Sequence, residues 1–340
     1  MDIVPTMAGK VTKDFWDGLQ TAIKTGLVRE QQHSVYPLSI YNYTQRCSNS
    51  RHWDDITRAC RGLVIDRSNR RLVIPCVPKF FNQFEPEAAT VDLNNCRITM
   101  KNDGYMIQIL QDEQYGMLVT SRGSFNSRYA DYARNMLGDT TLITGLNYVC
   151  ELCHDFPGDE TIIVTRHPVD KLYCWSVLDR NYREYQLELP SVLEPTRVFT
   201  ATEATEYMNG QVEGIVIEDL ATQGRIKCKT DWFVAMHRAI SGVSRRGVWD
   251  SLRHGDNVPE QFAVYKVIDG DEQRIPVEIP DELLPTVDSW VEELLNNYHS
   301  VADEVESWSK LTIERGMDNR AIANNQDLGI SRTMKSLLFM

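Results

Sequence analysis

The chain has 340 residues, of which 42% are hydrophobic and 25% charged, and its formal net charge is −12. This length allows two domains, and the composition excludes a disordered or fibrous protein. Polar residues interrupt every apolar run well before the roughly 20 residues of a membrane-spanning helix, so no membrane partner is expected. The N-terminus lacks the apolar core of a secretion signal, and the eight scattered cysteines are typical of reduced thiols. We therefore expect a cytoplasmic protein, in the host cytoplasm if the source is viral.

The negative charge is concentrated near the C-terminus. Residues 251–340 contain 8 Lys and Arg against 17 Asp and Glu, which leaves 28 against 31 for residues 1–250. Within the latter, residues 51–82 have 7 basic and 3 acidic side chains, and residues 221–247 have 6 and 1. Local patches set the field that a phosphate experiences. A polyanionic ligand is thus compatible with the first 250 residues and is not expected for the acidic tail.

The chain begins with a predicted helix and then becomes rich in strands. Residues 11–32 place Phe15, Leu19, Ile23 and Leu27 on one helical face. Short apolar or alternating runs bounded by Gly, Asn, Asp or Pro then predict strands. These runs are SVYPLSIYNYT, RGLVIDR, RRLVIPC, RITMKN, YMIQILQ, GMLVTSR, NYVCELC, TIIVTRH, KLYCWSVLD, EGIVIED and RIKCK.

Two further helices are predicted, one inside the strand-rich region and one after it. SRYADYARNML forms the first, and DELLPTVDSWVEELLNNYHSVADEVESWSKL forms the second, with Pro285 in its first turn. IDGDE offers a turn for a hairpin around residues 264–279. The composition shifts near Ser244–Arg246, which predicts an α+β domain over residues 1–245 and a smaller, mostly helical domain over residues 246–340.

One short motif admits two interpretations. In ITMKNDGYMIQIL, Lys101 lies between two strand-like runs and is followed by Asn102, Asp103 and Gly104. Lysine is depleted in strands, and Asp-Gly usually marks a turn. The motif therefore indicates either an exposed hairpin turn or a reactive amine, and alone it does not separate them.

Other charged motifs accompany this lysine in strand-like frames. They are CRGLVID (60–66), PKFFNQFE (78–85), SRGSF (121–125), CEL (150–152), VEGIVIE (212–218) and RIKCKTDWF (225–233). Alternation along a strand directs such side chains to one face, as it does for Lys227 and Lys229. Burying that face with Lys101, Glu151 and Glu213 is unfavourable without a charged ligand. The pattern favours a phosphate-binding site over a hairpin charge.

The order of these motifs resembles that of the covalent nucleotidyltransferases, which include ATP-dependent RNA and DNA ligases and capping enzymes. It is most similar to the phage-type RNA ligase 1 family. The resemblance covers about residues 41–237, and KFFN and K-x-K-T-D-W-F are its most specific parts. It implies a nucleotidyltransferase (ATP-grasp-like ligase) domain of antiparallel sheets with flanking helices, followed by a helical substrate-specificity domain.

The resemblance also implies an activity. It predicts an ATP-dependent RNA ligase that seals 5′-phosphate and 3′-hydroxyl RNA ends through lysyl-AMP and RNA-adenylate, with ATP and Mg²⁺ (or Mn²⁺) as cofactors. Kinship suggests nicked tRNA as the RNA, with an end-healing kinase and phosphatase acting beforehand. Two alternatives remain open at this point. One is a DNA ligase or capping-type enzyme, and the other is a catalytically inactive RNA-end-binding module.

The family's catalytic roles transfer to five residues. Lys101 is the implied nucleophile that attacks the α-phosphate and becomes the AMP-lysine. Lys227, Lys229 and Mg²⁺ are expected to lower the pKa of Lys101 and to stabilise charge on the phosphate. Glu151 is expected to hold the ribose, and Glu213 to help hold the metal.

The remaining implied contacts concern the nucleotide. Arg61 and Lys79 are expected to orient the β- and γ-phosphates, and Gly104 to let the chain pass close to the nucleotide. Arg122 stands where some relatives have lysine, and its planar fork binds phosphate or sugar differently. CEL replaces an aromatic-flanked glutamate, so Glu151 departs from the usual context. Trp175 has two interpretations, base stacking and core packing.

Overall fold

The structure is a computed structural model that describes residues 4–156, 164–165, 169–268, 271–276, 279 and 284–317. The helices are α1 Lys13–Lys24, α2 Gln45–Asn49, α3 Asp55–Ala59, α4 Arg128–Leu137, α5 Ala201–Tyr207, α6 Asp231–Gly242, α7 Arg245–Arg253 and α8 Leu284–Glu314. The strands up to residue 82 are β1 Thr6–Met7, β2 Lys10–Val11, β3 Val28–Gln32, β4 Leu38–Tyr43, β5 Arg61–Asp66, β6 Arg71–Ile74 and β7 Phe81–Asn82. Those that follow are β8 Cys96–Lys101, β9 Tyr105–Asp112, β10 Gly116–Ser121, β11 Asn147–Cys153, β12 Lys171–Leu178, β13 Leu193–Pro195, β14 Val198–Phe199, β15 Gly214–Asp219, β16 Arg225–Lys229, β17 Ala263–Ile268 and β18 Asp271–Pro276.

The predicted α+β fold with mainly antiparallel sheets is confirmed. The first sheet has the order β1-β2-β6-β5-β4-β3, the second β10-β9-β11-β12-β13, and the third β14-β8-β15-β16-β7. Their pairings are antiparallel except for β12 with β13 and β16 with β7. Helix α1 packs on the first sheet and helix α4 on the second. Each helix covers the alternating apolar side chains on one face of its sheet.

The first predicted helix is shorter than its apolar pattern suggested. Helix α1 begins after Thr12, whose side chain accepts a hydrogen bond from the Phe15 N–H. It ends before Gly26, which has a φ of +74°. That left-handed conformation favours glycine and terminates the helix. The predicted helical span to residue 32 is therefore wrong, because residues 28–32 form strand β3 and pair with β4.

Most of the other predicted elements lie where the sequence placed them. Helix α4 begins after Ser127, which caps it, and NYVCELC and RIKCK coincide with β11 and β16. The predicted strand TIIVTRH lies mainly outside the described residues. The described cysteines are free thiols, as the sequence predicted. Within the described residues no helix is long and apolar enough to cross a membrane.

Two compact units divide the chain, Met1–Val234 and Ala235–Met340. In the second unit, β17 and β18 form an antiparallel hairpin at the place where IDGDE suggested one. Its turn, residues 269–270, lies outside the described residues. Helix α8 is the long predicted helix, and Pro285 lies in its first turn as expected.

Candidate active site

In the third sheet, residues of β8, β15 and β16 form three cross-strand rows, and these rows include the three predicted lysines. Strand β15 lies between β8 and β16 and pairs with both in an antiparallel manner. Residues two apart on a strand share a face and are separated by roughly 7 Å. The rows are Lys101, Gly214 and Lys229; then Thr99, Val216 and Lys227; then Arg97, Glu218 and Arg225. The first row therefore brings together two of the three predicted catalytic lysines, and the second row adds the third.

A single carboxylate bridges the two lysines of the first row. Glu213 immediately precedes β15, and its side chain is only 5% exposed. Its Oε2 lies 2.7 Å from Lys101 Nζ, and its Oε1 lies 3.0 Å from Lys229 Nζ. Burial raises the pKa of Glu213, but the two lysines outweigh that effect and lower it overall. The carboxylate is thus ionised and engaged at both oxygens.

The pKa of Lys101 is shifted in the direction opposite to our prediction. Burial lowers it, but the carboxylates of Glu213 and Glu151 outweigh burial, and the net pKa lies above the ordinary lysine value. Lys227 and Lys229 therefore do not bring this pKa below the ordinary value, contrary to our expectation of them, and the contribution of Mg²⁺ stays a prediction. The nearest partner of the amine is an anion 2.7 Å away, and that contact favours the charged form.

Lys227 is the lysine whose pKa is strongly lowered. Burial lowers it to about 7, with a further contribution from nearby cations. Those cations are Lys79, Lys101, Arg61 and Lys229. No carboxylate in the described part of the chain forms an ion pair with Lys227. A phosphate at this position would supply the missing negative charge.

Glu151 is the second group that titrates close to neutral pH. It lies on β11, one residue from Cys150, and burial raises its pKa to about 7. Lys101 and Arg61 lower this pKa, whereas Glu213 raises it. A buried carboxyl and a buried amine that both titrate near pH 7 mark this as a candidate functional site.

Gly104 is required by the packing of the loop that follows Lys101. A Cβ built on Gly104 would lie 2.4 Å from the carbonyl oxygen of Leu152, and 3.1 Å from Cγ of Glu151. The loop after Lys101 can therefore approach β11 only through a glycine. The sequence suggested that Gly104 makes room for the nucleotide. The structure shows a second reason for glycine here, which is the close contact between this loop and β11.

A cavity of about 710 Å³, including its part open to solvent, lies over these rows. It has the size of a small-ligand site. Its lining includes the predicted site residues Lys101, Glu151, Arg61 and Lys227. Burial lowers the pKa of Arg61, whose buried Nη1 has no hydrogen-bond partner among the described residues. Trp175 lines the cavity and also packs against a buried cluster that includes Met106 and Val149, so both interpretations of this residue stand.

Four predicted nucleotide contacts lie outside that lining, namely Gly104, Lys229, Lys79 and Arg122. Lys79 Nζ is held among three aromatic rings, at 4.5 Å from the centroid of Phe81, 5.0 Å from Trp53 and 5.8 Å from Tyr43. The guanidinium of Arg122 lies 5.5 Å from the same Tyr43 ring. These are cation–π contacts. The structure thus brings Lys79 and Arg122 together on Tyr43.

The third row contains an ion cluster that was not predicted from the sequence. Arg97 and Arg225 each contact both Glu184 and Glu218. Three of these residues belong to predicted strands, so period-two alternation could have found them. Glu184 lies between β12 and β13, and no pattern in the sequence marks it.

The residues around Glu213 allow a test of the predicted metal. Within the described residues no group of three or more His, Cys, Asp or Glu side chains could hold a metal ion by itself. Mg²⁺ commonly binds through one or two carboxylates together with substrate phosphates. Glu213 could serve as one such carboxylate only by exchanging its contact with Lys101 or Lys229 for the metal, because both of its oxygens are paired and it does not line the cavity.

Comparisons with known proteins agree with the motifs. Residues 59–195 match the model of a family described as RNA ligase. The matched segment contains Arg61, Lys79, Lys101, Arg122 and Glu151. This match confirms the resemblance to RNA ligases that the order of motifs predicted. No curated protein matches the chain.

Similar solved structures include RNA ligases from an archaeon and from Naegleria gruberi. The archaeal ATP-dependent RNA ligase is 16% identical, with a TM-score of 0.49, and the match covers 66% of this chain. The chain spans 64% of that protein's length. The Naegleria gruberi RNA ligase with PPi is 11% identical, with a TM-score of 0.31, and the match covers 67% of this chain and 83% of the other.

Proposed function

We propose that the chain is an ATP-dependent RNA ligase that joins 5′-phosphate and 3′-hydroxyl ends through lysyl-AMP and RNA-adenylate. One observation carries this proposal. Lys101 lines a cavity and contacts Glu213 at 2.7 Å, and the same cavity is lined by Arg61 and Lys227, two cations that form no ion pair within the described residues. The alternative interpretation, an exposed lysine in a hairpin turn, does not explain these surroundings.

The first step forms a bond between Lys101 and the nucleotide. Nζ of Lys101 attacks the α-phosphorus of ATP, the N–P bond forms, and the bond to the bridging oxygen breaks as pyrophosphate leaves. Attack requires loss of a proton from the ammonium, whose pKa is raised by Glu213 at 2.7 Å, so the nucleophilic neutral amine becomes more populated as the pH rises. Lys227 and Lys229 neutralise charge that develops on the phosphate oxygens. We assign Glu151, which lines the same cavity, to the ribose, whose hydroxyls would donate hydrogen bonds to its carboxylate.

Mg²⁺ or Mn²⁺ completes the proposed cofactors. Glu213 would help to hold a divalent ion, which would supply Lewis-acid stabilisation of phosphate charge. Arg61 and Lys79 orient the β- and γ-phosphates, so that pyrophosphate departs in line with the attacking amine. Arg122, next to Lys79 on the Tyr43 ring, extends this cationic surface.

The second and third steps involve RNA. The AMP moves from Lys101 to the RNA 5′-phosphate, and the 3′-hydroxyl then displaces AMP to form the phosphodiester. We propose nicked tRNA as the RNA, with an end-healing kinase and phosphatase supplying the ends, in the cytoplasm. We further propose, on the resemblance alone, that residues 246–340 form the substrate-specificity domain; their acidic composition by itself favours neither the triphosphate nor RNA as a direct ligand.

Sealing of pre-adenylylated RNA tests this division into steps. Lys101→Ala should fail to join 5′-phosphate RNA with ATP, yet it should seal adenylylated RNA, because the third step does not use the amine as a nucleophile. Gel analysis of labelled strands measures both reactions. Adenylylated DNA of the same sequence is the control for the acceptor.

Loss of both reactions in folded Lys101→Ala would contradict the assignment of Lys101 to the first step only. Preference for the adenylylated DNA strand would instead identify a DNA ligase. Absence of both ligation and self-labelling in the wild type would leave an RNA-end-binding module as the better description.

A further inference from the structure

The segment SRGSF, residues 121–125, leaves β10 and lies across the first sheet. Its contacts follow one cross-strand row of that sheet, in which Arg29 of β3 pairs with Asn42 of β4, and Asn42 pairs with Arg61 of β5. A Cβ built on Gly123 would lie 2.5 Å from Nη2 of Arg29 and 3.3 Å from Cβ of Asn42. Glycine at position 123 therefore leaves room for the guanidinium of Arg29.

Two further contacts fix this segment on the sheet. The N–H of Phe125 donates to Oε1 of Gln31 at 2.9 Å, and Gln31 is two residues from Arg29 on β3 and shares its face. The carbonyl oxygen of Arg122 lies 3.2 Å from the position of a Cβ on Gly62 of β5. The segment therefore brings Arg122 and Arg29 into the same region of the first sheet.

Arg29 is an exposed cation on β3, which is the edge strand of this sheet. Within the described residues it forms no ion pair and no side-chain hydrogen bond. The carboxylate nearest to it in the sequence belongs to Glu30, which points to the opposite face of the strand and accepts hydrogen bonds from Ser39 and Tyr41 there. The charge of Arg29 is therefore available to an anionic ligand.

The order of the proposed steps indicates which ligand passes this region. In the first step, Lys101 attacks the α-phosphorus in line with the departing pyrophosphate. In the second step, an oxygen of the RNA 5′-phosphate attacks the same phosphorus, the new P–O bond forms, the P–N bond breaks, and the amine of Lys101 takes up a proton. In-line geometry then requires the RNA to approach from the side by which pyrophosphate left. Arg61, Lys79 and Arg122 are the residues that we assign to that side.

Arg29 extends this set of cations towards the edge of the first sheet. It lies two strands from Arg61 in the same row, roughly 10 Å away between Cα atoms. We propose that Arg29 binds a backbone phosphate of the RNA strand that carries the 5′-phosphate, on the 3′ side of the reacting phosphate. The inference rests on the proposed ligase function, and it assigns one of the two RNA ends to this edge. Arg29 is a binding residue for RNA and takes no part in the formation of lysyl-AMP.

Ligation of two separate RNA strands tests this inference. A donor with a 5′-phosphate and a blocked 3′ end and an acceptor with a 3′-hydroxyl are titrated one at a time, and the product is measured on gels. Arg29→Gln should raise the half-saturating concentration of the donor about 3- to 10-fold, the effect of one exposed phosphate contact. The half-saturating concentration of the acceptor and the rate of self-labelling with ATP should both stay within about 2-fold of the wild-type values.

Two further measurements separate a phosphate contact from a structural role. A donor whose first backbone linkages are uncharged methylphosphonates should bind the wild type as weakly as the ordinary donor binds Arg29→Gln, and the variant should not distinguish the two donors. The slope of the logarithm of donor affinity against the logarithm of salt concentration should become less steep by about 0.7 in Arg29→Gln, the value for one lost contact to a single strand.

Two other variants serve as controls. Arg29→Lys keeps the charge and should retain most of the affinity for the donor. Arg67 is an exposed arginine that follows β5 at the end opposite to Arg61 and forms no ion pair within the described part of the chain. Arg67→Gln should change none of the titrations.

Four outcomes for Arg29→Gln would overturn the inference and leave the ligase proposal intact. They are a weaker acceptor alone, equal weakening of donor and acceptor, slower self-labelling with ATP, and no effect on any titration. Absence of labelling in the wild type would overturn both the inference and the ligase proposal.

Discussion

A Lys227→Met variant should be more stable than the wild type and nearly inactive in self-adenylylation. The buried amine has a pKa of about 7, against about 10.4 in an unfolded chain. The unfolded state therefore binds this proton more tightly, and the wild type is destabilised by the full difference below pH 7. That penalty decreases as the pH rises from 7 and disappears above about pH 10. Methionine retains much of the apolar volume and removes the buried charge.

Thermal unfolding across this pH range measures the effect. The melting temperature of Lys227→Met should exceed that of the wild type most clearly near pH 6.5, and the difference should shrink towards pH 10. The rate of lysyl-AMP formation should fall on the order of 10²- to 10³-fold, because a phosphate-binding cation is lost. Lys171→Met, which removes a lysine that pairs with Glu194, is the control and should reproduce neither effect. A less stable Lys227→Met variant with normal labelling would show that this amine is structural.

A Glu213→Gln variant should shift the pH dependence of self-adenylylation to lower pH while reducing its rate. Glu213 is the nearest anion to Lys101, and its charge helps to raise the pKa of that amine above the ordinary value. Glutamine removes the charge but keeps the shape, so the neutral, nucleophilic amine is populated at lower pH. The rate falls because Lys101 and Lys229 lose the carboxylate that pairs with both of them and positions the attacking amine.

Self-labelling between pH 6 and pH 10 provides the measurement. Glu194→Gln is the matched control, since Glu194 also pairs with a lysine, Lys171, but does not line the cavity. Its profile should coincide with that of the wild type. An unchanged profile for Glu213→Gln, or a shift to higher pH, would contradict the role of Glu213 in setting the charge of Lys101.

The sequence was informative wherever strand alternation alone decides which side chains meet. Lys227 and Lys229 are two apart on β16, so the period of two was enough to place them on one face with Lys101 on β8. Helix α4 followed from its apolar spacing and from Ser127 at its start. These features depend on residues close together in the chain, or on a repeat that every strand shares.

Features that depend on tertiary distances were missed or predicted wrongly. The pKa of Lys101 depends on the 2.7 Å contact with Glu213, which is 112 residues away in the chain. The motifs indicated that cations and anions lie together, but they did not indicate which of these groups lies nearest to Lys101. The ion cluster was not predicted because Glu184 lies in a segment without a sequence pattern. The end of α1 was not predicted because the apolar spacing continues beyond Gly26 to Leu27.

The most direct test of the central claim is the incubation of the wild type and of Lys101→Ala with α-labelled ATP and Mg²⁺, followed by denaturation. The account predicts acid-labile label on the wild type and none on Lys101→Ala, because the phosphoramidate forms on that amine. Equal label on both folded proteins would place the adenylate elsewhere. No label on folded wild type that is not already adenylylated would contradict the ligase account.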